Sequence, residues 1–314
     1  MEKVRDDSAT QEFYHCLYDI ITPMKPSAAF YFFTITCLLL SACTPSSQGS
    51  SNSPTSTIEN MGSDTIVNLA LAWAERYQSE HPDVRISVTG GGSGTGLAAL
   101  INGTVDIANA SRKIKDEEIA QAQANGIQPV EHIIARDAIA VIVNPENPVS
   151  ELTLQQISDI YSGKITNWKE VGGDDRPIVR LSRETNSGTH VYFLETVLRL
   201  GDKGNKTLFA MNTLLLPSSE GIIAEVRQNP NAIGYDGLGY VPADVKKIAI
   251  AQSGDEPFVL PSVETVNDKT YPIARDLYMY TAGEPTGTIK DYLDWILSPE
   301  AQEIVLKLGF VPIK

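Results

Sequence analysis

Residues 84–108 read VRISVTGGGSGTGLAALINGTVDIA, and this stretch decides the fold. Val84–Thr89 alternates apolar and polar residues, the pattern of a half-buried strand. A glycine turn, residues 90–96, follows. An apolar helix over 95–102 comes next, and Val105–Ala108 reads as a second short strand. Strand, turn, helix, strand is the grammar of a parallel α/β sheet. The turn offers free backbone N–H groups and the Ser93 hydroxyl at a helix N-terminus, a setting suited to an oxyanion.

The same device recurs twice. Gly62-Ser63-Asp64-Thr65 precedes an apolar stripe at Ile66, Leu69, Ala70, Trp73 and Tyr77, which predicts a helix over 66–79. Asn186-Ser187-Gly188-Thr189 precedes a helix over 189–200 and follows a strand over Ile178–Ser182. A single such turn is an ordinary helix cap. Three of them, with arginines nearby, point to one anion held where three helices begin.

Working outward, a helix is expected over Ile114–Asn125, and a strand over Ile133–Val143 broken at Arg136-Asp137. Further helices are expected over Leu154–Tyr161, from Ser219 to Gln228, over Asp291–Leu297 and over Pro299–Leu308. Ala232–Tyr235 and Tyr271–Tyr280 read as strands. The chain lacks the fixed period of a solenoid. Its 314 residues, 42% hydrophobic, suffice for two α/β lobes of similar size.

The N-terminal region reads as a leader. Met24-Lys25 opens an apolar run, Ala28–Leu40, closed by Leu40-Ser41-Ala42-Cys43. The run is short for a membrane span and fits a signal-peptide core. Leu-Ser-Ala-Cys resembles the bacterial lipobox, which makes Cys43 the expected lipidation site, with a plain secretory signal cut nearby as the alternative. Residues 1–42 are then leader, with Met24 the expected start, and 43–57, rich in Ser, Thr and Pro, a lipid anchor and flexible tether. Losing residues 1–42 moves the net charge from −14 to −12. Such acidity argues against nucleic acid as a partner. Of the three cysteines, Cys16 and Cys37 leave with the leader, so no disulfide or thiolate metal site is expected. His15, His81, His132 and His190 have no metal-ligand spacing and read as surface or helix-edge residues.

Enzymatic chemistry is not indicated. Neither register of residues 90–97 completes G-x-G-x-x-G, no G-K-[ST] exists, and Ser93 lacks the closing glycine of G-x-S-x-G. No cofactor is expected. Among the cations, Arg183 ends a strand four residues before Ser187, placing its planar fork over the following helix start. The alternative is a surface ion pair with Glu184. Arg112 is either a second cation at the site or a solvated arginine beside Lys113. Asp64 is either a helix cap or an acceptor for a proton carried by the anion, which phosphate has at neutral pH and sulfate lacks.

Gly62-Ser63-Asp64-Thr65, the run 90–96, Val105–Arg112, Arg183-x3-Ser187-Gly188-Thr189, Ala232–Tyr235 and Gly309-Phe310-Val311-Pro312 together resemble the substrate-binding lipoprotein of bacterial phosphate ABC importers. The resemblance covers nearly all of residues 58–314. It implies a two-lobed type II periplasmic-binding-protein fold, each lobe a mixed, mostly parallel sheet flanked by helices. Lobe 1 would be 58–136 plus 274–314 and lobe 2 would be 137–273, with crossings near 134–138 and 271–275. It implies phosphate contacts at Ser63, Thr65, Ser93, Arg183, Ser187, Gly188 and Thr189, a lipid anchor on the extracytoplasmic face, and ABC permease subunits as partners. Many family members carry an Asp where this chain has Arg112, so the proton-sensing role is moved to Asp64. Sulfate or molybdate binding, or a sensor or adhesin role on the same scaffold, are the rival expectations.

Overall fold

The computed structural model describes residues 56–313. The expected leader and residues 43–55 of the expected anchor and tether, Cys43 included, lie outside them. In chain order the strands are β1 (Ser56–Gly62), β2 (Val84–Thr89), β3 (Ile107–Ala110), β4 (Val130–Val143), β5 (Glu151–Thr153), β6 (Val179–Arg183), β7 (Leu214–Leu216), β8 (Ala232–Gly237), β9 (Lys246–Lys247), β10 (Ala249–Ala251) and β11 (Ala274–Thr281). The helices are α1 (Asp64–Glu80), α2 (Ser93–Ile101), α3 (Asp116–Ala124), α4 (Leu154–Tyr161), α5 (Gly188–Phe193), α6 (Ser219–Gln228), α7 (Val263–Asn267), α8 (Gly287–Ile296) and α9 (Pro299–Lys307).

One mixed sheet runs β2-β1-β3-β11-β4-β8-β6-β7, and β9 also pairs with β4. β1 pairs in parallel with both β2 and β3, as β6 does with β7 and β8. The antiparallel strands β4 and β11 join these two parallel groups.

Each group has its own core. α1 buries the stripe Ile66, Leu69, Ala70, Trp73 and Tyr77 against α8, α9 and Phe310, and the Trp73 indole N–H donates to the Ala301 carbonyl at 2.8 Å. The other core gathers Tyr161, Trp168, Phe193 and Tyr235, with Phe193 stacked on Tyr235 at 3.6 Å between centroids. Local chemistry sets several boundaries. Thr153 caps α4 in a capping box with Gln156, and the Ser218 and Ser298 hydroxyls cap α6 and α9.

Three expectations need correction. β4 does not break at Arg136-Asp137. It runs on, because alternation turns Arg136 outward to Asp276, at 3.4 Å, and Asp137 inward to a buried partner, Arg275. A strand, β1, precedes the first glycine turn where none was expected. Its inward positions include Asn60, buried and hydrogen-bonded to Asn109, so the apolar alternation is interrupted. His190 is not at a surface: it is buried in α5 against the Ser182 hydroxyl, and burial holds its pKa below the usual histidine range.

Candidate anion site

The three glycine turns come together. Gly62, at a φ of 146°, lets β1 end hard against β3, because a side chain there would collide with the Asn109 carbonyl. Ser63 N–H then donates to that carbonyl at 2.9 Å, and Gly92 N–H donates to the Gly62 carbonyl at 2.9 Å. The third turn docks on the second: Gly94 N–H donates to the Asn186 carbonyl at 3.0 Å, and the Asn186 amide donates to the Gly91 carbonyl at 3.0 Å. Gly188 must be glycine here, since a Cβ would strike the hydroxyls of Ser93 and Ser111.

At this junction the hydroxyls of Thr65 and Thr189, 124 residues apart in sequence, lie 2.9 Å from each other. Ser93 Oγ accepts from Ser111 N–H at 3.0 Å and faces Ser111 Oγ at 3.3 Å. Ser187 caps α5 by accepting from Thr189 N–H at 3.2 Å. Ser63, Thr65, Ser93, Ser187 and Thr189 are all buried.

Arg183 is 1% exposed. Its Nη1 donates to Ser219 Oγ at 2.9 Å and lies 3.7 Å from Asp236, while its Nη2 donates to Asp64 at 2.8 Å and to the Pro217 carbonyl at 2.9 Å. It therefore pairs with Asp64 rather than with Glu184. Its Nε–H finds no partner among the described residues, an uncommon state for a buried donor. Asp64 caps no backbone N–H of its own helix. One carboxylate oxygen takes Arg183 and the other accepts from Gly91 N–H at 2.8 Å, so it locks the second turn to the arginine.

Arg112 is neither solvated nor joined to these hydroxyls. It is 8% exposed, and both terminal nitrogens grip Glu118 at 2.7–2.8 Å. Burial works to raise the Glu118 pKa, but the Arg112 bonds and Lys115 N–H outweigh it and hold the group below the usual glutamate range.

Sequence reasoning missed four participants. Arg275 on β11 donates to Asp137, to Thr189 Oγ1 at 2.9 Å and to the Ser111 carbonyl at 2.9 Å. Asp137, fully buried, has its pKa raised to about 6, chiefly by burial and against the pull of Arg275. Asp236, equally buried, is raised by burial and partly restrained by Arg183. Ser111 completes the Ser93 pair. The broken periodicity at Arg136-Asp137 was the available signal for Asp137. Beside the junction opens a cleft of about 560 Å³ whose lining includes Arg112, Lys113, Lys115, Tyr192, Arg275 and Tyr278. Among the described residues no group of acidic, His or Cys side chains is arranged to hold a metal ion.

With this geometry in view, comparison with known proteins is decisive. Residues 48–300 match the model of the PBP superfamily domain. A phosphate-binding protein PstS of Pseudomonas aeruginosa is 34% identical over 273 residues, covering 82% of this chain and 83% of that protein. The chain belongs to the PstS family. The PstS of Bacillus subtilis is 34% identical over 253 residues, covering 80% of this chain and 79% of its own. Among solved structures, a phosphate ABC transporter substrate-binding protein from Clostridium perfringens, described with bound phosphate, superposes with a TM-score of 0.73 at 36% identity. It is matched over its whole length by 82% of this chain. An ABC-type phosphate transport receptor from Vibrio cholerae gives 0.66 at 29% identity, with 81% of this chain and 99% of that one covered. The fold of this PstS-family chain is the type II fold of that group.

Proposed function

We propose that this chain binds inorganic phosphate outside the cytoplasm and delivers it to an ABC import permease. The observation that carries this is Arg183: a fully buried guanidinium at the meeting point of three turns, with one donor unpartnered among the described residues. The 36% identical neighbour from Clostridium perfringens, which holds phosphate, supports the same ligand here. The contacts would come from Ser63, Thr65, Ser93, Arg183, Ser187, Gly188 and Thr189, through hydroxyls, backbone N–H groups and one guanidinium. Arg112 lines the cleft with its terminal nitrogens on Glu118 and its buried Nε–H unpartnered among the described residues, a further cation at the rim of these donors.

The charge balance favours phosphate over sulfate or molybdate. Arg183 and Arg275 stand among three carboxylates, Asp64, Asp137 and Asp236. An anion entering there meets no surplus of positive charge, so hydrogen bonding decides. Asp64 would accept the proton that phosphate carries and repel an oxyanion that has none. Closure would bring lobe 58–136 plus 274–314 against lobe 137–273 about β4 and β11. No helix among the described residues is long and apolar enough to cross a membrane, and lipidated Cys43 would hold the protein at the extracytoplasmic face. The relatives named above are phosphate-binding or substrate-binding proteins, which supports a binding role here.

Calorimetric titration of the purified chain with phosphate, sulfate and molybdate tests the function. Saturable binding of phosphate alone is expected, and equal binding of sulfate would favour a general oxyanion carrier. Cys43→Ala should release or mislocalise the protein or leave an uncleaved precursor. A wild-type mature form without lipid, starting at another residue, would refute the anchor.

A further inference from the structure

Arg275 occupies an unusual position. Its side chain is 2% exposed, and its single guanidinium touches all three walls of the junction. Nη1 donates to the Ser111 carbonyl, beside the Ser93–Ser111 pair, at 2.9 Å. Nη2 lies 2.9 Å from Thr189 Oγ1 and 3.4 Å from Thr65 Oγ1. Asp137 receives Nε at 3.3 Å and Nη2 at 3.0 Å, which fixes the plane of the fork from behind. Tyr192 covers its face, with the ring centroid 5.5 Å away.

An arginine can only donate. Nη2 has two hydrogens, one given to Asp137 and one to Thr189 Oγ1. The Thr189 oxygen must therefore accept and its own proton must point elsewhere, while Thr65 Oγ1 at 3.4 Å can only share that second hydrogen. The two hydroxyls own two protons. One serves the 2.9 Å contact between them. The other is left free to donate to a third group, which must be an acceptor. A guanidinium in this place thus turns a pair of rotatable hydroxyls into a fixed donor and adds a positive charge behind it. Without it, either hydroxyl could turn to offer a lone pair, which repels an anion.

We infer that Arg275 is the second guanidinium of the anion site, a positioning residue that orients the Thr65 and Thr189 hydroxyls as donors to the bound anion while Asp137 holds its fork in place. This rests on phosphate being the ligand and adds a residue more than 80 positions away from the nearest turn that supplies donors.

The test begins with phosphate titrations of wild type and of Asp137→Asn/Arg275→Gln, which removes both charges together and leaves no buried carboxylate unpaired. The unliganded double variant should melt close to wild type yet bind phosphate roughly 30-fold or more weakly, the lower end for losing a buried charged partner. Arg275→Lys, which keeps the charge and loses the fork, should recover only part of the affinity. Thr189→Val should cost affinity in wild type and much less in the double variant, because the two residues act through one hydroxyl. A merely structural Arg275 would not produce that coupling. Should the double variant fail to fold, Arg275→Lys with and without Thr189→Val carries the same comparison. Wild-type affinity in the folded double variant, or additive effects of Thr189→Val, would overturn the inference while leaving phosphate binding intact. Failure of wild type itself to bind phosphate would overturn both.

Discussion

Two ion pairs flank the junction, one half-buried and one fully buried, and they are built differently. Arg112 and Glu118 are six residues apart and close on each other beside the start of α3, a bidentate clasp within one segment. Arg275 and Asp137 are 138 residues apart, on neighbouring strands, and their guanidinium reaches hydroxyls on two helices. The local pair stiffens one wall. The distant pair ties together segments that a hinge about β4 and β11 would move. The local clasp engages both terminal nitrogens of Arg112 and leaves its buried Nε–H unpartnered among the described residues, whereas the cation paired across the fold reaches hydroxyls on two of the converging turns.

The largest effect that separates the two kinds of arginine is expected at Arg183, also paired across the fold. Arg183→Ala removes a desolvated charged partner, worth roughly 2–5 kcal/mol, or about 30- to several-thousand-fold in phosphate affinity. Calorimetry on the folded variant should show this, together with a lowered melting temperature of the unliganded protein, because Asp236 stays buried without its cation. An unchanged dissociation constant would break the comparison at once.

Selectivity comes next. Asp64→Asn replaces a repelling carboxylate with a group that can donate. Sites built around a ligand hydroxyl can reject analogues lacking it by about 10⁴–10⁵, so the phosphate-over-sulfate affinity ratio should narrow by at least about tenfold while phosphate itself weakens modestly. Titrating both anions at fixed salt checks it, and an unchanged ratio would leave Asp64 as a brace for Arg183 and Gly91.

The two carboxylates should also differ in the sign of their pH dependence. Asp137 has a folded-state pKa of about 6 against an ordinary 3.8. The folded protein holds this proton more tightly, so its contribution to stability is largest at low pH and is lost as pH rises through about 6. Glu118 is shifted the other way. Its contribution is present above the ordinary glutamate value and lost as pH falls below it. Relative to wild type, the melting temperature of Asp137→Asn should therefore rise between pH 4 and 7, and that of Glu118→Gln should fall. Parallel profiles would remove the electrostatic contrast.

The smallest effect is expected where the local pair is removed whole. Arg112→Gln/Glu118→Gln should leave phosphate affinity within about threefold, under 1 kcal/mol. A larger loss in a titration of the folded variant would return Arg112 to the set of ligand contacts.

The same contrast explains what was legible in the sequence. The turns at 62–65, 90–96 and 186–189 announced themselves, because glycine and hydroxyl residues before an apolar stripe carry local meaning. α4 and α6 matched their expected bounds for the same reason. The bond from Arg183 to Asp64 spans 119 residues, and nothing near either residue marks its partner. Arg275 was hidden in a stretch expected to be uniform strand, and Asp137 at a point that looked like a strand's interruption. β1 escaped notice because Asn60 takes an inward position that alternation reserves for apolar residues. Buried polar groups that satisfy one another across the fold break the very patterns by which strands are recognised.

The most direct test of the central claim is phosphate titration of wild type beside Arg183→Ala, with the melting temperature of each unliganded protein measured in the same buffer. Two buried arginines and three converging turns predict saturable binding by wild type, a loss of at least about 30-fold in the folded variant, and a lower melting temperature for the variant, whose buried Asp236 loses its cation. Equal phosphate affinities in the two folded proteins would contradict it.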